Sequence, residues 1–386
     1  MKILLVGGSF DHNGGRASSL INKMTSEIKK DKQVELDVYN GGFVTELHEE
    51  IIASVINYNI VMWFANVSNE EAKTRDVKLI NPKTILITSK RNDNNKYSFA
   101  ELISRSLAIK ANLTIEFSKN EDGIYNMLVF DPLATSYYNG TNIADMTRAL
   151  LCRAKKLTKF TRVPTTRDES NDIVTVPDKK EFFSFAHNCA DIFHNLVRPT
   201  KGTERFLGNM SFRCQNGFPS FRGENGLIYV SRRNVNKANI CSANFVPVYM
   251  DTNNRVKYFG EHKPSVDTPI QLNLYNKLPW ANYMLHAHCY IDVPEEMQNC
   301  LSVTTTKPIP CGALEEVDEI LQCLPSDINT NPPQLLTINL KGHGCILIAQ
   351  NSSVFLELQK HRDNCFVARP TPEPYIEGKA RYEISN

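Results

Sequence analysis

The sequence predicts an α/β protein of two domains, the first an open, doubly wound parallel sheet. Three observations carry this reading. Short β-branched and apolar runs alternate with helical patterns over the first 160 residues. A Pro-, Thr- and charge-rich stretch without periodicity, "TRVPTTRDESNDIVTVPDKKE", follows them. All ten cysteines lie beyond residue 151, which marks a change of composition between the halves. At 386 residues the chain also exceeds what one small core organises. The predicted divisions are a domain at 1–160, a linker at 161–179 and a second domain at 180–386.

In chain order, "KILLVG", "VELDVY", "NIVMWFANV", "KTILITS" and "NLTIEF" read as strands. The apolar part of "MKILLVGGSF" is too short before its glycines for a secretory signal, so it reads as the first buried strand. "SFAELISRSLAIKA" and "TNIADMTRALLCRAKKL" read as helices, the first with Ser98 as its N-cap. This alternation suits a flavodoxin- or Rossmann-like domain, in which ligands lie beyond the carboxyl ends of the strands.

The first turn, "GGSFDHNGGRASSL", stands at such an end. Gly14, Gly15, Arg16 and Ser18 lead into the next helix, where free backbone N–H groups, a guanidinium and a hydroxyl suit phosphate or a nucleotide. The spacing is neither G-x-G-x-x-G nor G-x-x-x-x-G-K-[ST], so no particular nucleotide follows. The competing reading is a plain loop with an ordinary N-cap.

Bulk properties exclude several classes. A net charge of +2 gives no electrostatic footprint for nucleic acid or an anionic membrane. No run of 18 apolar residues exists, so no membrane span is expected. The cysteines form no C-x-x-C pair, which removes the zinc-finger and thioredoxin readings. Free thiols in a reducing, cytoplasmic setting are expected instead.

In the second half, "MLHAHCY" places His286 and His288 two residues apart in an apolar run. Positions i and i+2 of a strand share a face, so the pair is either a metal clamp or two satisfied polar side chains. Around it stand "EFFSFAHNCADIFHNLV", "GNMSFR", "GLIYVSRRNV", "NFVPVYM", "KPSVDTP", "TTTKPIPCGALEEVDEILQCL" and "LLTINLKGHGCILIAQ". In their order and spacing these motifs resemble the class II aldolase/adducin family over roughly residues 180–360. That family includes sugar-phosphate aldolases, a pentulose-phosphate epimerase and a dehydratase.

The resemblance implies an α/β/α second domain whose His286, His288 and His343 bind a divalent metal, zinc above all. Three neutral imidazoles leave a coordination position open, as a catalytic zinc requires. The family's Ser-Ser-Glu is here Ser265, Val266 and Asp267, so Asp267 is the implied acid/base with one methylene less reach. The other reading of Asp267 is a cap for the helix starting near Thr268. Gly208 and Asn209 match a phosphate-binding turn, Ser231 a second one in which Arg232 replaces glycine, and Ser265 one of the paired serines. The implied activity is that of a lyase or isomerase acting beside the carbonyl of a sugar-like small molecule, with or without a phosphate. A homo-oligomer, by resemblance a tetramer, is implied too, with tail tyrosines Tyr375 and Tyr382 reaching a neighbouring subunit. Two alternatives stay open: a non-catalytic, adducin-like interaction module, and a nucleotide-binding first domain that carries the main activity.

Overall fold

The computed structural model describes residues 1–67, 74–119, 123–170, 174–194, 206–214 and 227–376. The chain divides into two compact units: Met1–Lys159 together with the segment from Thr371, and Phe160–Pro370.

The first unit holds β1 (Lys2–Asp11), β2 (Glu35–Phe43), β3 (Ile60–Trp63), β4 (Asn66–Val67), β5 (Ile85–Arg91), β6 (Leu113–Lys119), β7 (Tyr125–Phe130) and β8 (Thr135–Gly140). The sheet runs β2-β1-β3-β5-β6-β7-β8, with β4 beside the end of β1. From β2 to β6 the pairing is parallel. Ile3 to Val6 are wholly buried, as a strand covered on both faces demands. One face packs Leu4, Val6, Val61, Trp63 and Leu86 against Leu47, Ile51 and Val55. Helices Ser19–Ile28 and Ile143–Leu157 pack together, and Ile21 of the first lies against Gly7 of β1. Ser98 caps Phe99–Ala108 in a capping box with Glu101, as its sequence predicts.

The five predicted strands are all present, but the sheet continues beyond them. β7 and β8 add an antiparallel meander after β6. Asp131 makes its turn, accepting from the N–H groups of Leu133 (2.9 Å) and Thr135 (3.1 Å). Beyond β8 lies Glu373–Pro374, which the sequence assigns to the second domain; it pairs in parallel with β8 of the first. Two residues carry too little pattern to announce a strand.

The second unit comprises β9 (Thr165–Arg167), β10 (Asn209–Arg213), β11 (Ile228–Ser231), β12 (Phe245–Met250), β13 (Val256–Tyr258), β14 (Tyr283–Ala287), β15 (Tyr290–Ile291), β16 (Cys300–Thr304), β17 (Leu335–Leu340), β18 (Gly344–Ala349) and β19 (Phe366–Val367). Its main sheet runs β16-β17-β18-β14-β10-β11-β12-β13-β9, and β15 pairs with β19 apart from it. The pairings from β17 through β13 are antiparallel. β9 comes from the stretch read as a linker. It adds in parallel to β13, an edge position where three residues suffice.

Helices cover both faces, which makes the predicted α/β/α sandwich. Leu285, Ala287, Cys345 and Leu347 face a core with Phe182, Phe185, Phe193 and Phe355. Met284, Ile346 and Ile348 face the opposite core, with Ile270 and Leu274 of helix Thr268–Lys277 and Val317 and Ile320 of helix Glu315–Gln322. Each buried Phe is worth about 1.5–3 kcal/mol over exposure. The strand alternation that sends Leu285 one way sends Met284 and His286 the other.

Candidate metal centre

His286 lies near the end of β14 and His288 just beyond it, while His343 sits in the turn between β17 and β18. The three side chains are 3%, 4% and 1% exposed, so water satisfies almost none of their polar atoms. One ring nitrogen from each falls within 4.8 Å of the others. Ring centroids are 4.8 Å apart for His286–His288, 4.6 Å for His286–His343 and 5.4 Å for His288–His343.

This convergence needs close backbone approach. Gly344, after His343, has φ +145°, and a Cβ there would lie 2.1 Å from the Ala287 carbonyl oxygen. Gly208 has φ +71°, and its Cβ would lie 2.6 Å from the carbonyl oxygen of His286. Only glycine lets both turns press against the histidine strand.

Hydrogen bonds orient the rings. His343 Nδ1 lies 2.9 Å from Glu316 Oε1, and Glu316 is itself buried. His286 Nδ1 lies 2.9 Å from the carbonyl of Cys345. Each Nδ1–H donates outward, which leaves Nε2 as a lone-pair donor facing inward. His286 Nε2 and His288 Nδ1 are buried with no hydrogen-bond partner. An unsatisfied buried nitrogen costs about 1–3 kcal/mol; a bound cation would satisfy both. Burial first, then neighbouring positive charge, puts the His286 and His288 pKa values well below ordinary, so both rings are neutral. At His343 burial acts likewise, but Cys311 and Glu316 outweigh it and hold the pKa well above ordinary, so an ion would bind its Nε2 in exchange for a proton. Three imidazoles backed by a carboxylate and a carbonyl are a donor set that fits a zinc-like divalent ion.

Asp267 occupies the N-cap position of helix Thr268–Lys277, yet its side chain makes no capping hydrogen bond. Its Oδ2 accepts from Asn209 Nδ2 at 2.9 Å, and Oδ1 is buried without a partner. Gln271 donates to Asn209 Oδ1, which fixes the way that amide points. Burial raises the Asp267 pKa above its ordinary value, against the opposing charge of His343.

Three turns meet around this carboxylate. Asn209 pairs in register with His286. Ser231 Oγ accepts from Met210 N–H at 3.1 Å, and Ser231 O accepts from Ser265 N–H at 3.1 Å. Arg232 bridges to Pro264, and Ser265 Oγ accepts from Asp267 N–H at 3.3 Å. Gly208, Asn209, Ser231, Arg232, Ser265 and Asp267 thus gather from segments far apart in the chain. The guanidinium whose charge bears on Asp267 is that of Arg233.

Several residues here escaped the sequence reading. Glu316 and Cys311 contact His343. Arg369, 5% exposed, donates to the His343 carbonyl at 3.0 Å, and Tyr290 Oη accepts from Gly342 N–H at 3.1 Å. Lys237 is buried and donates to the carbonyls of Leu207 and Gly208, both at 2.7 Å. No motif signals any of them; a buried charge beside a glycine turn is visible only in three dimensions.

In the first unit, the proposed phosphate loop is already engaged. Gly15 N–H donates to Gly42 O at 2.7 Å, Arg16 N–H to Ser9 Oγ at 2.7 Å and Ser18 N–H to Asn40 Oδ1 at 2.7 Å. Gly14 N–H makes a long contact of 3.4 Å to Asp11 O. An open cavity of about 520 Å³ does lie at the carboxyl ends of β1, β5 and β6. Ser18, Ser19, Ser89, Arg91, Phe117 and Tyr125 are among its lining residues. Tyr375 packs edge-on to Tyr137 within this unit; Tyr382 lies outside the described residues. All ten cysteines are free thiols. No helix among the described residues is long and apolar enough to cross a membrane.

Residues 189–311 match the family model of the class II aldolase and adducin N-terminal domain, a span that holds His286 and His288 but ends before His343. No curated protein sequence matches the chain. Solved structures with partial likeness include the DNA/pantothenate metabolism flavoprotein from Streptococcus pneumoniae, 13% identical, covering 40% of this chain and 99% of its own, TM-score 0.33. The N-terminal class II aldolase domain of a conserved protein from Thermoplasma acidophilum is 16% identical, covering 52% of this chain and 98% of its own, TM-score 0.30. YgbL from Escherichia coli is 12% identical, covering 47% of this chain and 84% of its own, TM-score 0.28.

Proposed function

Residues 189–311 belong to the class II aldolase/adducin family, and from that premise we propose that the second unit is a metal-dependent lyase or isomerase acting beside a carbonyl of a sugar-like substrate. One observation carries the reading: three buried imidazoles converge, and two of them leave a ring nitrogen with no protein partner. The presence of all three histidines argues against a non-catalytic interaction module.

His286, His288 and His343 would hold the ion, zinc being favoured by an all-imidazole shell. When bound, it supplies Lewis-acid polarisation of a carbonyl and stabilises the charge that develops beside it. Asp267 moves the proton at the neighbouring carbon, while Asn209 holds its Oδ2. Burial favours the protonated carboxyl, which brings its basicity closer to what proton transfer near neutral pH needs. Ser231 and Ser265 use their oxygens as acceptors within the fold and keep O–H donors for an anionic group, which Arg232 would meet with its charge. The substrate is small and sugar-like, and the active form is a homo-oligomer, measurable by light scattering.

The test pairs two variants. His288→Ala should lower divalent-metal occupancy steeply. Asp267→Asn should keep the metal but lose about 10²–10⁴-fold in aldol, epimerase or dehydratase turnover on a sugar-phosphate panel. Wild-type protein that takes up no divalent metal would return the argument to the interaction-module reading.

A second reading, a ligand site in the first unit, is favoured by its cavity at the strand ends. A phosphate-bearing nucleotide at a hundred times Kd should stabilise that unit by about 2.7 kcal/mol. No thermal shift with any nucleotide or with inorganic phosphate would remove it.

A further inference from the structure

We propose that Cys311 is a fourth protein ligand of the metal centre, a thiolate that closes the three-histidine site while no substrate occupies it. This rests on the reading of His286, His288 and His343 as metal ligands.

The geometry centres on His343. Glu316 occupies its Nδ1, so Nε2 is the nitrogen left to bind an ion. Cys311 Sγ lies 3.4 Å from that same Nε2. A tetrahedral ion with metal–nitrogen and metal–sulfur bonds of about 2.1 and 2.3 Å sets its nitrogen and sulfur ligands about 3.6 Å apart. The observed 3.4 Å is close to that ligand-to-ligand spacing. A plain S–H···N hydrogen bond would explain that single distance. It would leave His286 Nε2 and His288 Nδ1, which cluster with His343, still buried and unpaired.

The chain around Cys311 holds the thiol in place. Ala313 N–H donates to Pro310 O at 3.2 Å, which closes a turn over Cys311. Gly312 has φ +74°, and a Cβ there would lie 2.9 Å from Val266 Cγ1. The turn is thus pressed against the segment that carries Asp267. Two other cysteines neighbour the histidines along the chain, but Cys289 and Cys345 belong to the core on the opposite face of the sheet. Strand alternation removes them as ligands and leaves Cys311.

On binding, the thiol loses its proton to solvent and the sulfur lone pair makes the new bond; no oxidant or reductant is needed. Soft thiolate beside three imidazoles also favours zinc or cobalt over magnesium. Substrate oxygens would then compete with sulfur for the ion, so the thiolate governs access as well as affinity.

Cobalt(II) titration of the metal-stripped full chain tests this. Wild type should bind one cobalt per chain, with visible ligand-field bands and a near-ultraviolet sulfur-to-cobalt band. Cys311→Ser, and Cys311→Ala as a second variant, should keep the ligand-field bands and lose the near-ultraviolet one. His288→Ala should lose both. Cobalt bound by wild type without the sulfur band, or a band that survives in both Cys311 variants, overturns the proposal while sparing the histidine site. No cobalt binding by wild type overturns the histidine site, and the fourth ligand with it.

Discussion

Replacing Glu316 with Gln isolates the charge that stands behind the third histidine. Glu316 is 3% exposed, and its Oε1 sits 2.9 Å from His343 Nδ1. The carboxylate fixes which nitrogen faces the ion and makes that nitrogen more basic. Loss of such an outer carboxylate typically costs about 10–100-fold in metal affinity. Gln keeps an oxygen that can accept from Nδ1–H, so only the charge is lost and the lower end applies. We expect about tenfold weaker zinc binding, or about 1.4 kcal/mol. Glu316→Ala also removes the acceptor, leaves Nδ1–H unsatisfied and should approach 100-fold, about 2.7 kcal/mol. Competition with a chromophoric chelator at fixed pH reads both values on metal-stripped protein. Unfolding of the same samples without metal shows whether the fold is intact. Unchanged affinity in both variants, while His288→Ala abolishes binding, would refute the carboxylate's role.

Two further expectations concern the frame of the site. Burial lowers the Lys237 pKa from 10.5 to about 7, so the unfolded chain binds one more proton between those values. Stability must therefore rise with pH across that window, by at most about 5 kcal/mol, and Lys237→Met should flatten the rise; parallel pH profiles for the two proteins would contradict the assignment. Gly344→Ala would force an L-residue into φ +145° with its Cβ 2.1 Å from the Ala287 carbonyl oxygen. It should cost at least about 1–3 kcal/mol and lower metal uptake by moving His343; an unperturbed melting curve would show that the turn is not held as described.

The pattern of the chain by itself determined the layers. Alternating apolar runs announced β1, β2, β3, β5 and β6, and Ser98 with Glu101 announced a capped helix, because these signals are local and repeat at the period of the element. His286 and His288 were legible for the same reason, since residues two apart in a strand share a face. His343 came with them through the order of motifs, and the glycine beside it explains how its turn reaches the strand. Other features were decided by pairings between distant residues. Asp267 looks like a helix cap in sequence, but Asn209, 58 residues earlier, takes its carboxylate. Glu316 reads as the first turn of an amphipathic helix, and only packing sets it against His343, 27 residues on. Gly15, Arg16 and Ser18 look like a phosphate cradle until Gly42, Ser9 and Asn40 fold over and accept their N–H groups. Glu373–Pro374 follows the second unit in the chain yet pairs with β8 of the first. Local periodicity encodes which face a side chain takes, whereas the partner it meets there depends on chain closure over tens of residues, which tertiary packing alone decides.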